Sequence, residues 1–375
     1  MLIDTPILQF GTGRFLQAHV DLFVSQALPL GHALGGIAVV QSTDNTGSSE
    51  RLAALAGAGG VPVRIRGLQA GRPVDELVQV DSVRRAWHAV RDWPQLRDAM
   101  ASGVQVIVSN TADHGYALDA ADGPSLLRNG DAVPRSFPAR LLSLLQHRWR
   151  CTPLAPMTLL PCELIARNGE VLREIVVGLA RDWDAPADFI AYLRDHCVWA
   201  CSLVDRIVSE PLHPVGAIAE PYALWAIERQ PRLVLPCSHP AMVLTDDLAR
   251  FERRKLWLLN LAHSYLAECW RVDVRRADET VLQAMNDEVL RARLEAVWHD
   301  EVLPVFDALG EGEEARAYLV DLRERLLNPF LAHRLADIAQ NHEQKKRRRF
   351  APVLDAAAAA GLHTAQGRLR AALGD

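Results

Sequence analysis

PILQFGTGRFLQAHVDLFVSQAL, residues 6–28, reads as three elements in immediate succession. PILQF is a short apolar strand, GTG breaks it, and from Leu16 apolar side chains recur at helical spacing. Gly11 and Gly13 take the first two glycine positions of a dinucleotide-binding turn. One permits the tight bend; the other lets a pyrophosphate approach the backbone at the helix N-terminus, where free N–H groups and the helix dipole favour negative charge. The third glycine position holds Leu16, so the fingerprint is incomplete and a plain strand-to-helix turn competes with it. Phe10, Arg14 and Phe15 flank the turn and join Gly11 and Gly13 as cofactor-binding candidates.

A second apolar strand, GIAVVQ (36–41), completes the β-α-β order that a parallel sheet requires. An acid that binds the adenosine ribose belongs near the end of this strand, and the nearest is Asp44. No Arg or Lys follows to meet a 2′-phosphate, which favours NAD over NADP. VPVRIRGL (61–68) and DELVQVDSV (75–83) read as strands joined by the QAGRP turn. GVQVIVSNT (103–111) is a strong strand whose end places Asn110, Thr111 and Asp113 where cofactor contacts occur in such sheets. SFPARLLSLLQHRW (136–149) is an amphipathic helix, MTLLPCEL (157–164) a short buried strand, and DHCVWACSLVDRI (195–207) supplies one more. Beyond Ile207 strand signals nearly stop, and the three prolines of SEPLHPVGAIAEP predict an extended connector. The expected architecture is an α/β Rossmann-type domain with a parallel-rich sheet over 1–207, then a mainly α-helical domain over 208–375.

Composition narrows the function. The chain has 375 residues, a formal net charge of -5 and 23% charged residues, a balance that points to neither nucleic acid nor membrane as a partner. No apolar run approaches the roughly 18–20 residues that cross a bilayer, and the N-terminus lacks a signal-like pattern, so a cytoplasmic location is expected. Six cysteines in a chain this long read as reduced thiols. Cys197 and Cys201 have no matching Cys or His pair at zinc spacing, so no metal is expected.

KLWLLNLAHS (255–264) is an apolar helix carrying an ammonium, an amide and an imidazole. At α-helical pitch Asn260 and His263 share a face, with Lys255 within roughly 140° of both. One reading is that Lys255 snorkels to water and His263 is a hydrogen-bonded core residue. The other is chemical. Oxidising a secondary alcohol by hydride transfer needs a base for the hydroxyl proton, and carbonyl reduction needs the same group to return it. A lysine desolvated against Trp257, Leu258 and Leu259 can serve in both directions without a metal, and Asn260 can donate to the oxygen as charge develops.

Together ILQFGTGRFLQAH, SNTADHGY, SFPARLLSLLQHRW, LPCELIARNGEVLREIV, SLVDRIVSEP, EPYALWAIE, DDLARFERRKLWLLNLAHS and NPFLAHRLADIAQN resemble the polyol-specific long-chain dehydrogenases, the mannitol dehydrogenase family. The likeness covers most of the chain and is greatest for the hexuronate branch of tagaturonate and fructuronate reductases. It implies an NAD(H)-dependent, zinc-independent enzyme interconverting a keto-uronate and its hexonate, with the active site between two domains. A neutral-polyol dehydrogenase and an inactive nucleotide-binding regulatory protein are the alternatives. Carried onto this chain, the resemblance makes Lys255 the acid/base, Asn260 a carbonyl-oxygen stabiliser and His263 a substrate-positioning group. It offers Asn168, or the alternative position Leu164, as a second oxyanion donor, and Asp205 as a substrate-hydroxyl contact beside a structural Arg206. A uronate carboxylate calls for a cation, with Arg334 or a residue of KKRRR (345–349) as candidates, although that run also reads as a solvated helix face. The turn departs from the family in having Gln17 where Arg is usual, and the chain is shorter than its relatives.

Overall fold

A computed structural model describes residues 4–43, 47–111, 115–362 and 366–374. The first eight strands are β1 (Ile7–Phe10), β2 (Ile37–Gln41), β3 (Val61–Gln69), β4 (Arg72–Val80), β5 (Val83–His88), β6 (Val106–Ser109), β7 (Met157–Pro161) and β8 (Cys197–Trp199). Six of them form one sheet in the order β5-β2-β1-β6-β7-β8, parallel throughout. This is a Rossmann-type order with β3 and β4 inserted as a hairpin. Every residue of β1, β2, β6 and β7 is buried, which is why these segments read as continuous apolar runs and not as alternations. Helices α1 (residues 14–27), α2 (Phe137–Cys151) and α3 (Asn168–Asp182) accompany this sheet, and Phe10, Trp93, Leu141, Leu144, Leu159 and Val176 lie in its core.

Strand order reverses at β1, so the crevice outside the carboxyl ends of β1 and β6 is the switch point where open α/β sheets take their ligands. Four short strands follow: β9 (Ser202–Asp205), β10 (Val208–Pro211), β11 (Ala217–Ala219) and β12 (Leu224–Glu228), with a fifth, β13 (Met242–Thr245). β12 pairs antiparallel with β9 and parallel with β13.

The chain divides into two compact units, but not at Ile207. The first runs through Arg64, then Leu77–Ala219 and Ala223–Leu248; the second comprises Ile65–Glu76, Glu220–Tyr222 and the chain from Ala249. β10 to β13 are three to five residues each and mostly half-buried or exposed in β10 and β13, too short for a periodic signal to register. The second unit is helical, around a core that includes Leu258, Leu266, Trp298, Phe306 and Phe350. Its principal helices here are α4 (residues 249–272) and α5 (His342–Ala359). A buried ion pair ties the Glu220–Tyr222 piece into this unit. The Arg325 guanidinium donates to Glu220 at 3.0 Å and to the Tyr318 hydroxyl at 3.0 Å, and it lies over the Tyr222 ring.

Candidate functional site

The sequence places chemistry in both units, and each part is built differently. In the first, Gly11 has φ +121, and a Cβ there would stand 2.6 Å from the Asn110 carbonyl oxygen. Only glycine lets β1 and β6 turn away from each other at this distance. Leu16, in the third fingerprint position, approaches the same point: its Cδ1 would be 3.1 Å from that Cβ. Gly13 precedes the first turn of α1, and a Cβ there would meet nothing within 4 Å. The space beside it is open, as an approaching pyrophosphate requires.

Gln17 holds the turn. Its amide nitrogen donates to the Thr12 carbonyl at 2.8 Å and its amide oxygen accepts from the Gly216 N–H at 2.7 Å. The residue that departs from the usual arginine therefore braces the glycine loop from beneath. Arg206 donates to the Ala18 carbonyl at 2.6 Å, a structural role within the same helix start. Phe10 packs on Phe137, with ring centroids 5.1 Å apart, and Phe15 stacks on His19 at 4.9 Å. Arg14 is exposed. Asp205 is buried at the end of β9. Asp44 and Asp113 lie outside the described residues.

One acid escaped the sequence reading. Glu163, buried just past β7, accepts from the Ser109 hydroxyl at 3.0 Å, the Thr111 N–H at 3.0 Å, the Thr111 hydroxyl at 2.9 Å and the Tyr116 hydroxyl at 3.2 Å. Burial, then the Glu163 charge, pushes the Tyr116 phenol up, which keeps it a donor. Glu163 thus ties Thr111 and Tyr116 to the end of β7, and it takes up the Thr111 hydroxyl that was expected to face a cofactor. The Asn110 amide donates to the Cys162 carbonyl at 2.9 Å, so its side chain also braces the strand ends. An acid at the end of an apolar strand was the available signal.

Asn168 does not act as an oxyanion donor. It is 1% exposed, and its amide nitrogen reaches the carbonyls of Pro161 (3.1 Å), Glu163 (3.1 Å) and Ser202 (2.9 Å). Its oxygen accepts from the N–H groups of Gly169 at 2.9 Å and Ser202 at 3.0 Å. Two N–H hydrogens shared among three carbonyls leave none for a substrate. Leu164, the alternative position, is an exposed apolar side chain without a donor.

In the second unit, α4 is not a regular α-helix. Lys255–Asn260 is a π-helical segment, in which the Leu261 N–H donates to the carbonyl of Leu256, five residues back. Such a segment stacks residue i+5 over residue i, as an α-helix stacks i+4. Asn260 is therefore turned toward the face that carries Lys255, and the divergence expected from α-helical pitch is reduced. The wide turn also admits outside donors: the Trp298 indole N–H donates to the Leu258 carbonyl at 3.4 Å, and Arg349 donates to the Asn260 carbonyl at 3.1 Å. Trp257, Leu258 and Leu259 face the core, while Lys255 and Asn260 are half-buried.

Around this segment stand groups from two further elements. The Arg349 guanidinium also donates to the Ser264 hydroxyl at 2.7 Å, and Lys345 donates to the Ile338 carbonyl at 2.9 Å. Burial, then the neighbouring Arg348 charge, pushes Arg349 down to about 10, and burial, then Arg349, lowers Lys345. Among the described residues neither cation has a carboxylate partner, and Nε and Nη2 of Arg349 carry no hydrogen bond. The basic run is therefore divided, with Arg347 and Arg348 exposed and Arg349 and Lys345 drawn in. His333, which the sequence reading passed over, meets His263 edge to face at 5.0 Å, and burial lowers its pKa. Arg334 is exposed at the N-terminus of the short helix Leu335–Ile338, and it is His333 that stands beside His263. No group of three or more metal-ligating side chains forms among the described residues.

Residues 5–234 match the mannitol dehydrogenase Rossmann domain, and residues 247–371 match the mannitol dehydrogenase C-terminal domain. The chain is 33% identical to an altronate oxidoreductase of Yersinia enterocolitica over 371 residues, covering 93% of this chain and 74% of that protein. Among solved structures, a D-sorbitol dehydrogenase in substrate-free form superposes with a TM-score of 0.80 at 18% identity, covering 95% of this chain and 76% of that one. The ternary complex of Pseudomonas fluorescens mannitol 2-dehydrogenase with NAD and D-mannitol gives a TM-score of 0.73 at 21% identity, covering all of this chain and 79% of that one.

Proposed function

This chain belongs to the mannitol dehydrogenase family of oxidoreductases, and from that we propose that it interconverts a keto-uronate and its hexonate with NAD(H). The observation that carries the acidic substrate is the pair of half-buried cations at the π-segment. Arg349 bonds the Asn260 carbonyl and the Ser264 hydroxyl of α4, and Lys345, one turn earlier on α5, bonds the Ile338 carbonyl; neither has a carboxylate of its own among the described residues, and Arg349 keeps two donors open. A bidentate guanidinium suits a carboxylate, whereas a neutral polyol would leave both charges half-buried and unpaired. The altronate oxidoreductase relatives act, by their name, on a sugar acid of this kind.

The glycine turn fits a dinucleotide: Gly11 cannot carry a side chain, and the space beside Gly13 is open at the head of α1. Bound there, NAD(H) supplies or accepts the hydride. Lys255 takes the hydroxyl proton of the hexonate in oxidation and returns it to the carbonyl oxygen in reduction, which needs no metal. Asn260, turned toward the face of Lys255 by the π-turn, donates to that oxygen as it gains charge. His263, buttressed by His333, orients a neighbouring hydroxyl.

The test is NADH consumption with tagaturonate and fructuronate, run beside fructose and mannitol. A uronate preference supports the reading, and a preference for neutral substrates refutes it. Lys255→Ala should abolish turnover while NADH still binds; an unchanged rate removes Lys255 from the mechanism. Turnover with none of these substrates by the wild-type chain would return the reading to a nucleotide-binding protein without chemistry.

A further inference from the structure

A depression of about 650 Å³ opens on the first unit, along α3 and the edge strand β8. Five arginines line it, Arg167, Arg173, Arg181, Arg194 and Arg232, against two acids, Glu170 and Glu174, which leaves three positive charges in excess. The chain as a whole carries a net -5, so the concentration of positive charge here is local. Glu170 is already paired with Arg167. Among the described residues Arg173, Arg181 and Arg194 have no carboxylate within ion-pair distance. Concave surfaces lined by one sign of charge focus the field and concentrate counter-ions.

Two of the five arginines hold a backbone that favours glycine. Arg167 has φ 54 and Arg232 has φ 64, in a chain with six such non-glycine residues in all among those described. Both of these side chains have partners within the chain, Arg167 on Glu170 and Arg232 on the Asp195 carbonyl, so the guanidinium groups left for a ligand are those of Arg173, Arg181 and Arg194. β8 ends the sheet, and its last carbonyl is taken, because Gln230 donates to Trp199 at 3.1 Å. The concave, cationic lining suits a small anion. The depression also stands apart from the dinucleotide turn. β8 lies three strands from β1, roughly 14 Å at normal strand spacing, and none of Gly11, Gly13, Asn110 or Glu163 lines it.

We propose that this arginine-lined depression is a second anion site, which takes a small multiply charged anion such as a phosphorylated metabolite or a polycarboxylate. Guanidinium groups bind both headgroups in bidentate fashion, so the chemistry is shared and the source is left to the assay. The site does not depend on the catalytic reading above.

Isothermal titration with inorganic pyrophosphate and, separately, citrate tests it on the full chain, with and without saturating NADH. The expected result is binding of at least one probe that NADH does not displace and that weakens as salt rises. Arg173→Ala/Arg194→Ala should lower that affinity at least tenfold. Arg173 and Arg194 are exposed, so the melting temperature of this variant should hold while its affinity falls. Binding that NADH abolishes, binding that the double variant leaves unchanged, or no binding at millimolar probe each overturns the proposal. Pyrophosphate preferred over citrate identifies a phosphate ligand, and the reverse a polycarboxylate.

Discussion

Asp21→Asn should make the protein more stable, and increasingly so as pH rises. Asp21 sits in α1 directly behind the glycine turn, fully buried, and neither carboxyl oxygen has a hydrogen-bond partner among the described residues. Burial raises its pKa from 3.8 to about 8. The carboxyl is therefore protonated in the folded chain at neutral pH but ionised once unfolded. A folded pKa above the unfolded one means that the native state binds the extra proton, so this group's contribution is fully present below pH 4 and is lost as pH climbs toward 8. Each pH unit in that window removes about 1.4 kcal/mol. Between pH 5 and pH 8 the wild type should thus lose about 4 kcal/mol that an uncharged Asn does not lose. Urea unfolding of both proteins at pH 5, 6, 7 and 8 reads this directly, because every other titrating group cancels in the difference. A difference that grows with pH in favour of Asn is the expected outcome. Parallel stability curves, or an Asn variant that weakens relative to wild type as pH rises, would refute a neutral buried Asp21.

Arg349→Met should raise KM for a keto-uronate by about 10- to 100-fold, the worth of a charge-assisted hydrogen bond, and because it also removes the donor on the Asn260 carbonyl, kcat should fall for a keto-uronate and for any neutral ketose alike. Steady-state kinetics on the paired substrates decides it. Asn168→Ala should lower unfolding stability by about 2–4 kcal/mol through orphaned backbone carbonyls, measured in urea, yet leave the kcat of the folded fraction near wild type; a large fall in kcat with little loss of stability would return Asn168 to the reacting atoms. Glu220→Gln breaks a pair whose side chains are 2% and 3% exposed, and should cost about 3–5 kcal/mol by leaving the Arg325 charge buried and unpaired. Thermal unfolding measures that loss, and a drop below 1 kcal/mol would show that Arg325 is satisfied by Tyr318 and Tyr222 alone.

Much of this architecture could be read from residue order, because the strands that matter are buried on both faces. Ile7–Phe10, Ile37–Gln41 and Val106–Ser109 are apolar runs bounded by glycine or polar turns, and burial leaves such runs few alternatives. β10 to β13 were hidden for the opposite reason: three to five residues, part of them exposed, impose no pattern strong enough to announce a strand, and the apparent domain boundary moved with them. Asn168 misled because an asparagine near a strand end offers the same donors to a substrate and to a backbone. Only the positions of the Pro161, Glu163 and Ser202 carbonyls show which receives them.

The π-segment marks the limit of sequence reading at the candidate site. KLWLLN carries no residue that forces a wide turn: Leu and Trp would continue an α-helix without strain. What holds the segment open comes from far along the chain, the Trp298 indole on the Leu258 carbonyl and the Arg349 guanidinium on that of Asn260. A helix that regained its i→i+4 ladder would swing Asn260 away from Lys255 by about a quarter-turn. The pairing of ammonium and amide is therefore a tertiary property, fixed by side chains about 40 and 90 residues downstream of the carbonyls they bind. On the proposed reading Arg349 would act on two levels at once, meeting a substrate charge with Nε and Nη2 while Nη1 holds the Asn260 carbonyl. Arg349→Lys divides them: one ammonium can reach the Asn260 carbonyl but cannot also present a bidentate fork, so KM should rise with kcat preserved, whereas a parallel fall in kcat would mean that the π-turn itself had closed.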